Sequence, residues 1–99
     1  MKAEYEAGLD ECTAAARQAL RDLDLVITGG ELHSSEVRID ARSDLSDVVR
    51  ITIQSPPEGG LAHVTFHAGR GWTHEGKEMI GNLKDAFERR LKDPAREHS

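Results

Sequence analysis

Three stretches of alternating apolar and polar residues lie between two segments with helical spacing, and this order constrains the fold more than any other feature. The alternation runs over residues 37–68, and a period of two residues is typical of strands with one buried face. On either side, apolar residues recur every three or four positions, as they do in amphipathic helices. The sequence therefore predicts an α+β domain.

Four strands are predicted, the first of them short. It covers residues 25–28 and ends at Gly29 and Gly30, and residues 31–35 form a loop. The longer strands cover residues 36–42, 48–54 and 61–68. A hairpin loop over residues 43–47 sets the register, because a slip of one residue would put apolar side chains opposite polar ones. The predicted pairs are Val37 with Ile53, Ile39 with Ile51, Ala41 with Val49, and Asp40 with Arg50 on the outer face.

Two helices complete the pattern, one over residues 5–23 and one over residues 74–92, where Asp93 and Pro94 end it. Each has a single apolar stripe, and the strands have a single apolar face. We therefore expect a two-layer sandwich of order α-β-β-β-β-α, with both helices on one face of an antiparallel meander sheet and the other face polar.

The length of 99 residues predicts one domain, with an ordered core over about residues 4–92 and a frayed tail over 93–99. A net charge of -5 disfavours generic nucleic-acid binding. No apolar run approaches the ~18 residues of a membrane span, and no signal peptide is visible. The chain as written is expected to be cytoplasmic, or in the cell envelope or periplasm if an upstream signal was removed.

The outward face of the sheet is the main candidate binding surface. It gathers Arg38, Arg42, Arg50, His63 and His67. Since Asp40 is the only acid expected there, the pattern predicts a locally positive surface on an acidic protein. Such a face would bind an acidic peptide, an anionic ligand or a second copy of the chain. The alternative is an ordinary solvated sheet face whose charges maintain solubility.

The turn before the second helix offers two further candidates. Arg70 at its tip could contact a partner. An exposed Trp72 beside it would be a binding hot spot, whereas a buried Trp72 would cover the end of the core. The turn matches a phosphate-binding loop poorly, because Glu75 would repel phosphate at the helix N-terminus.

Catalytic and metal-binding motifs are not found in the sequence. Cys12 lies on the apolar stripe of the first helix and is expected to be a small core residue. His63 and His67 are ~13 Å apart along one strand, at about 3.3 Å per residue, which is too far to share one metal ion. No cofactor is expected, and an enzyme ranks behind a non-enzymatic binding or assembly module.

Two alternatives remain beside a module that binds a protein or anionic partner. One is a small-ligand or metal-responsive sensor that uses surface histidines. The other is self-association through an edge strand, either residues 25–28 or the last strand, depending on the strand order.

Parts of the sequence resemble a known family. They are Ala3-Glu-Tyr-Glu-Ala-Gly-Leu-Asp-Glu-Cys12, Ala16-Arg-Gln-Ala-Leu-Arg-Asp-Leu-Asp-Leu25 and Val64-Thr-Phe-His-Ala-Gly-Arg-Gly71. They are similar to small bacterial domains of unknown function that are often found in short lipoproteins. The resemblance covers roughly residues 3–91 and depends on hydrophobic spacings and the anchors Tyr5, Leu20 and Gly69. It implies an envelope location and a binding role, with no established catalytic residue. The chain departs from it in lacking a lipobox cysteine, because Cys12 lies within a helix.

Overall fold

Five strands and two helices follow one another in the order β1-α1-β2-β3-β4-β5-α2. The computed structural model describes residues 1–43, 48–55, 61–69 and 74–91. The elements are β1 Lys2–Tyr5, α1 Leu9–Asp22, β2 Val26–Leu32, β3 Glu36–Arg42, β4 Val48–Gln54, β5 Ala62–Ala68 and α2 His74–Leu91. The strands form one antiparallel sheet of order β1-β5-β4-β3-β2. The predicted α+β fold and the meander of β2 to β5 are confirmed.

One core lies between the helices and the inner face of the sheet. Ile51, Ile53 and Phe66 are fully buried on the sheet side, and Leu20 and Phe87 on the helix side. The buried residues of both helices and of β3, β4 and β5 belong to one cluster. Both helices therefore cover the same face of the sheet, as the single apolar stripe of each helix and the single apolar face of the strands predicted. Cys12 lies in this cluster and is fully buried.

The register predicted for the central hairpin is confirmed. In the β3–β4 pair, Val37 lies opposite Ile53, Ile39 opposite Ile51 and Ala41 opposite Val49. Asp40 lies opposite Arg50 on the outer face. Since every apolar residue of β3 meets an apolar residue of β4, a one-residue slip would expose three aliphatic side chains on each strand.

The first residues form a strand that the sequence pattern did not predict. The helix expected from residue 5 begins instead at Leu9, after Gly8 with extended backbone at the N-cap position. Residues 2–5 pair with β5, and Ala3 lies opposite Val64. The ring of Tyr5 packs 5.1 Å from the ring of Phe87. Ala and Glu are good helix formers, but such preferences are worth less than about 1 kcal/mol per residue, and these tertiary contacts outweigh them.

The edge strand β2 is longer than predicted. It does not end at Gly29 and Gly30 but continues to Leu32, so that part of the expected loop is strand. The register shifts between Ile27 and Gly29, which marks a β-bulge. Gly30 has a φ of +157°, and a Cβ atom there would overlap the carbonyl oxygen of Arg38. Only glycine fits this position without strain, because an L side chain rarely adopts that backbone conformation.

The two helices divide the sheet between them. Helix α1 contacts β2, β3 and β4, whereas α2 contacts β5 and packs against α1. The guanidinium of Arg90 donates two hydrogen bonds of 2.6 and 2.7 Å to the carboxylate of Asp22, and these join the C-terminal ends of the helices. Among the described helices, none is long and apolar enough to cross a membrane. The predictions for residues 44–47, 70–73 and 93–99 lie outside the described residues.

Candidate functional site: the open face of the sheet

The open face is the side of the sheet opposite both helices, and cross-strand pairing fixes which residues lie on it. Its members are Lys2, Glu4, Val26, Glu31, Glu36, Arg38, Asp40, Arg42, Val48, Arg50, Thr52, Gln54, His63, Thr65 and His67. All five residues predicted for the sheet surface, namely Arg38, Arg42, Arg50, His63 and His67, lie on it. The other two predicted binding residues, Arg70 and Trp72, lie outside the described part of the chain.

The charge predicted for this face is wrong. Asp40 is not its only acid, because β1 contributes Glu4, β2 contributes Glu31 and β3 contributes Glu36. The described residues of the face thus include four acids and four bases, the bases being Lys2, Arg38, Arg42 and Arg50. With neutral histidines the charges cancel. The face is therefore a patterned surface of both signs rather than a positive patch.

Arg38 is held by acids from its own and the neighbouring strand. Its Nη2 donates a 2.7 Å hydrogen bond to Oε1 of Glu31, and its Nε lies 3.8 Å from Oδ2 of Asp40. That Nε is buried and makes no hydrogen bond. Glu31 also contacts His33 Nε2 at 3.1 Å. The hydrogen bond with His33 and the charge of Arg38 lower the pKa of the Glu31 carboxyl. The guanidinium of Arg38 is thus already paired with carboxylates of the protein itself.

Arg50 is paired in the same way. Its Nε donates a 2.8 Å hydrogen bond to Oδ1 of Asp40, directly across the β3–β4 pair. On the other side of Arg50, His67 is its cross-strand neighbour on β5. Asp40 is the less exposed partner, with 21% of its side chain accessible against 46% for Arg50. One carboxylate therefore orients two arginines.

At the end of the face opposite to Arg42, two carboxylates contact uncharged side chains. Nε2 of Gln54 donates a 2.7 Å hydrogen bond to Oε1 of Glu36. His63 Nδ1 lies 3.9 Å from Oε2 of Glu4 on β1. His63 and His67 point outward from the same strand, as predicted. Within the described ranges, no group of three or more His, Cys, Asp or Glu side chains is placed to hold a metal ion.

Arg42 differs from the other arginines of the face. It lies between Val26 on β2 and Val48 on β4 in one cross-strand row. Both valines are exposed, at 63% and 43%, and Arg42 itself is exposed. Among the described residues, no acid lies within ion-pair distance of its guanidinium. This row is an exposed apolar strip with an available cation at its centre.

Sequence patterns missed part of this site. Glu4 lay just before the predicted helix and Glu31 in a predicted loop, so neither was expected on the face. Glu36 lay in the predicted strand 36–42 but was not counted among its outward residues. A signal existed for β1, since Lys2, Ala3, Glu4 and Tyr5 alternate charged and less polar residues. Four residues are too few for a periodicity to distinguish a strand from the start of a helix.

Comparison of the chain with models of known protein families gives no match, and comparison with curated proteins gives none either.

Proposed function

We propose that this domain is a non-enzymatic binding module and that it binds a protein partner through the open face, with the row of Val26, Arg42 and Val48 at the centre of the contact. The proposal rests on the exposure and the pairing of the Arg42 side chain. Arg42 is the arginine of the open face that is exposed and lacks an ion pair within the described residues. Its two cross-strand neighbours are the exposed valines.

Such a row has the composition of an interface centre. Arginine is enriched at positions that contribute most to binding, where apolar neighbours exclude water from the contact. A carboxylate of the partner can accept two parallel hydrogen bonds from the guanidinium. The valines supply area that loses water when the partner binds, at about 25 cal/mol per Å². The partner surface expected here is an acidic side chain within an apolar rim.

The remainder of the open face supports the same role by being ordered before binding. Arg38 and Arg50 are fixed by Asp40 and Glu31, so ordering their side chains costs little entropy when a partner arrives. Their charges are already neutralised by Asp40 and Glu31, so Arg42 is the arginine of the face that can pair with a carboxylate of the partner. Mixed charge around the row adds specificity more than affinity.

Catalysis is a weaker use of this surface. Its side chains are exposed or half-buried, whereas acid–base catalysis favours groups whose pKa is shifted within a pocket. The resemblance to small lipoprotein domains agrees with a binding role, and under it the domain works in the cell envelope.

A capture experiment tests the proposal. The domain is immobilised and exposed to lysate from its source, and retained proteins are identified by mass spectrometry. The variant Arg42→Glu reverses the available cation, and Lys77→Glu is the matched control, because it makes the same charge change on an exposed position of α2. Both variants are first checked for unchanged circular dichroism and melting temperature.

The expected result is a partner that the wild type and Lys77→Glu retain and that Arg42→Glu loses. A follow-up titration of that partner should show affinity reduced at least tenfold by Arg42→Glu and reduced for Val26→Ala. Equal retention on all three proteins would show that the open face around Arg42 is not the binding surface.

A further inference from the structure

We propose that two copies of this chain associate by pairing their β2 strands antiparallel, so that the edge of one sheet continues into the other. The proposal concerns the sheet edge rather than Arg42, and it stands or falls independently of the proposed function. It follows from three features of β2: outward-facing backbone groups, exposed apolar side chains and a groove beside the strand.

The backbone of β2 has hydrogen-bonding groups directed away from the sheet. The β2–β3 turn closes with the N–H of His33 donating to the carbonyl of Glu36 at 2.8 Å. Hydrogen-bonded and non-hydrogen-bonded pairs alternate along an antiparallel ladder. Glu31 and Arg38 therefore form a hydrogen-bonded pair, whereas Gly30 and Leu32 direct their N–H and C=O groups outward. Those groups match the same groups of a second β2 strand.

The other edge of the sheet is more strongly protected than this one, where only the β-bulge between Ile27 and Gly29 and the charge of Glu31 oppose pairing. Strand β1 has four residues, of which Lys2 and Glu4 are charged and exposed. Charged residues on a short edge strand prevent pairing between sheets. Strand β2 has seven residues without lysine or proline. It carries the two most exposed large hydrophobic side chains of the described chain, Leu32 at 78% and Val26 at 63%.

A groove lies between helix α1 and the edge strand β2. Its volume is about 270 Å³. Thr13 and Arg17 of α1 form one wall, and Ile27, Val37 and Ile39 contribute apolar surface from the sheet. Leu32 lies at the margin of this groove. A two-fold pairing of β2 strands brings Leu32 of each copy towards the groove of the other, so that both exposed leucines become covered.

Charge and strand length select the register. A pairing centred on Glu31 would set two like charges directly opposite each other, which is destabilising. A pairing centred on Leu32 would take in the turn residue Ser34, which is not part of the strand. A pairing centred on Gly30 sets Glu31 opposite Gly29 of the second copy and Leu32 opposite Thr28. In this register the outward N–H and C=O groups of Gly30 face the same groups of Gly30 in the second copy.

The first test is the molecular mass in solution, measured by sedimentation equilibrium from micromolar to millimolar concentration. The wild type should show a reversible monomer–dimer equilibrium. Leu32→Lys should shift that equilibrium to monomer by at least tenfold in dissociation constant, because the added charge would be buried at the edge. Leu61→Lys is the control, since Leu61 is also an exposed leucine but lies outside β2.

The second test identifies the surface by amide hydrogen exchange at low and high protein concentration. The amides of Gly30 and Leu32 should exchange at least tenfold more slowly at high concentration. The amide of Glu31 should change less, because it is already bonded to β3. A monomer at every concentration, a dimer that survives Leu32→Lys, or unchanged exchange of both amides would each overturn the proposal.

Discussion

The hydroxyl of Tyr5 donates a 2.7 Å hydrogen bond to Oε2 of Glu88, which joins the first strand to the last helix across 83 residues. The same carboxylate oxygen accepts a 2.7 Å hydrogen bond from Nζ of Lys84. The Tyr5 ring lies tilted against Phe87, with centroids 5.1 Å apart. Burial, and after it the hydrogen bond to Glu88, raise the pKa of Tyr5 well above its ordinary value. Tyr5 thus holds the edge strand β1 against helix α2.

Replacing Tyr5 by phenylalanine should isolate the energy of that hydrogen bond. The Tyr5→Phe variant keeps the ring contact with Phe87, and Glu88 keeps its contact with Lys84. We expect the free energy of unfolding to fall by about 1–2 kcal/mol, as is usual for a half-buried bond to a charged group. Urea denaturation at neutral pH measures the change. A variant as stable as the wild type would show that the bond contributes nothing net.

Stability should decrease in alkaline solution. Burial, with a smaller effect of Glu11, raises the pKa of the Cys12 thiol to about 11 from 9.0, and the pKa of Tyr5 is raised from 10.0. The unfolded chain therefore releases these protons at lower pH than the folded chain does. The stabilisation is complete below the unfolded values and is lost as the pH rises through the folded ones.

Urea denaturation at a series of pH values above 8 measures this slope. Cys12→Ala should be less stable at neutral pH, because it leaves a cavity in the core. Its free energy of unfolding should begin to fall only at the higher pH where Tyr5 of the unfolded chain ionises. An unchanged onset in Cys12→Ala would show that the thiol does not cause the early part of the decline.

Alanine substitution at the two adjacent glycines of β2 should have different effects on the free energy of unfolding. Gly30→Ala places a Cβ against the carbonyl oxygen of Arg38 at a φ that L residues rarely adopt. We expect a loss of about 1–3 kcal/mol in the free energy of unfolding. Gly29→Ala meets no atom within 4 Å, so it should be neutral or stabilising by up to ~1 kcal/mol. Thermal and urea unfolding of both variants makes the comparison. Equal losses would contradict the assigned backbone conformation.

The pair of Asp40 and Arg50 should contribute modestly, and the contribution should depend on salt. A double-mutant cycle of Asp40→Ala and Arg50→Ala should give a coupling energy of about 0.3–1 kcal/mol, because half-exposed ion pairs across a strand pair are screened by water. Repeating the cycle at high salt should reduce the coupling. A coupling that salt leaves unchanged would show that packing rather than charge joins the two side chains.

The central strands could be predicted because the alternation that identifies each strand lies within its own residues. Residues such as Val37, Ile39 and Ile51 alternate with polar residues, and β-branched side chains favour a half-buried pleated surface. The same alternation determines the β3–β4 register, and with it the contact of Asp40 with Arg50. Helix α2 likewise follows from its own apolar spacing.

Strand β1 and the outer half of β2 could not be predicted because their signals lie elsewhere in the chain. Residues 2–5 form a strand only because β5 offers a partner, and Gly29 and Gly30 continue a strand only because β3 holds them. The charge balance of the open face depends on Glu4 and Glu31, which these two segments supply. The errors in two edge strands, together with the omission of Glu36 from the predicted outer face, therefore made a surface of balanced charge look positive.

The pairing of β1 with β5 also determines an order of assembly. The amino group of Met1 donates to the carbonyl of Phe66, 65 positions further along the chain, at 3.0 Å, whereas β2 to β5 are joined in sequence by successive hairpins. Closing a longer loop costs more entropy, so the meander should form before β1 docks. During synthesis on the ribosome, β1 emerges before any residue of β5 exists. Of the five strands, the first to be synthesised is therefore the last to pair. Until β1 pairs with it, β5 is an unprotected edge of the nascent sheet.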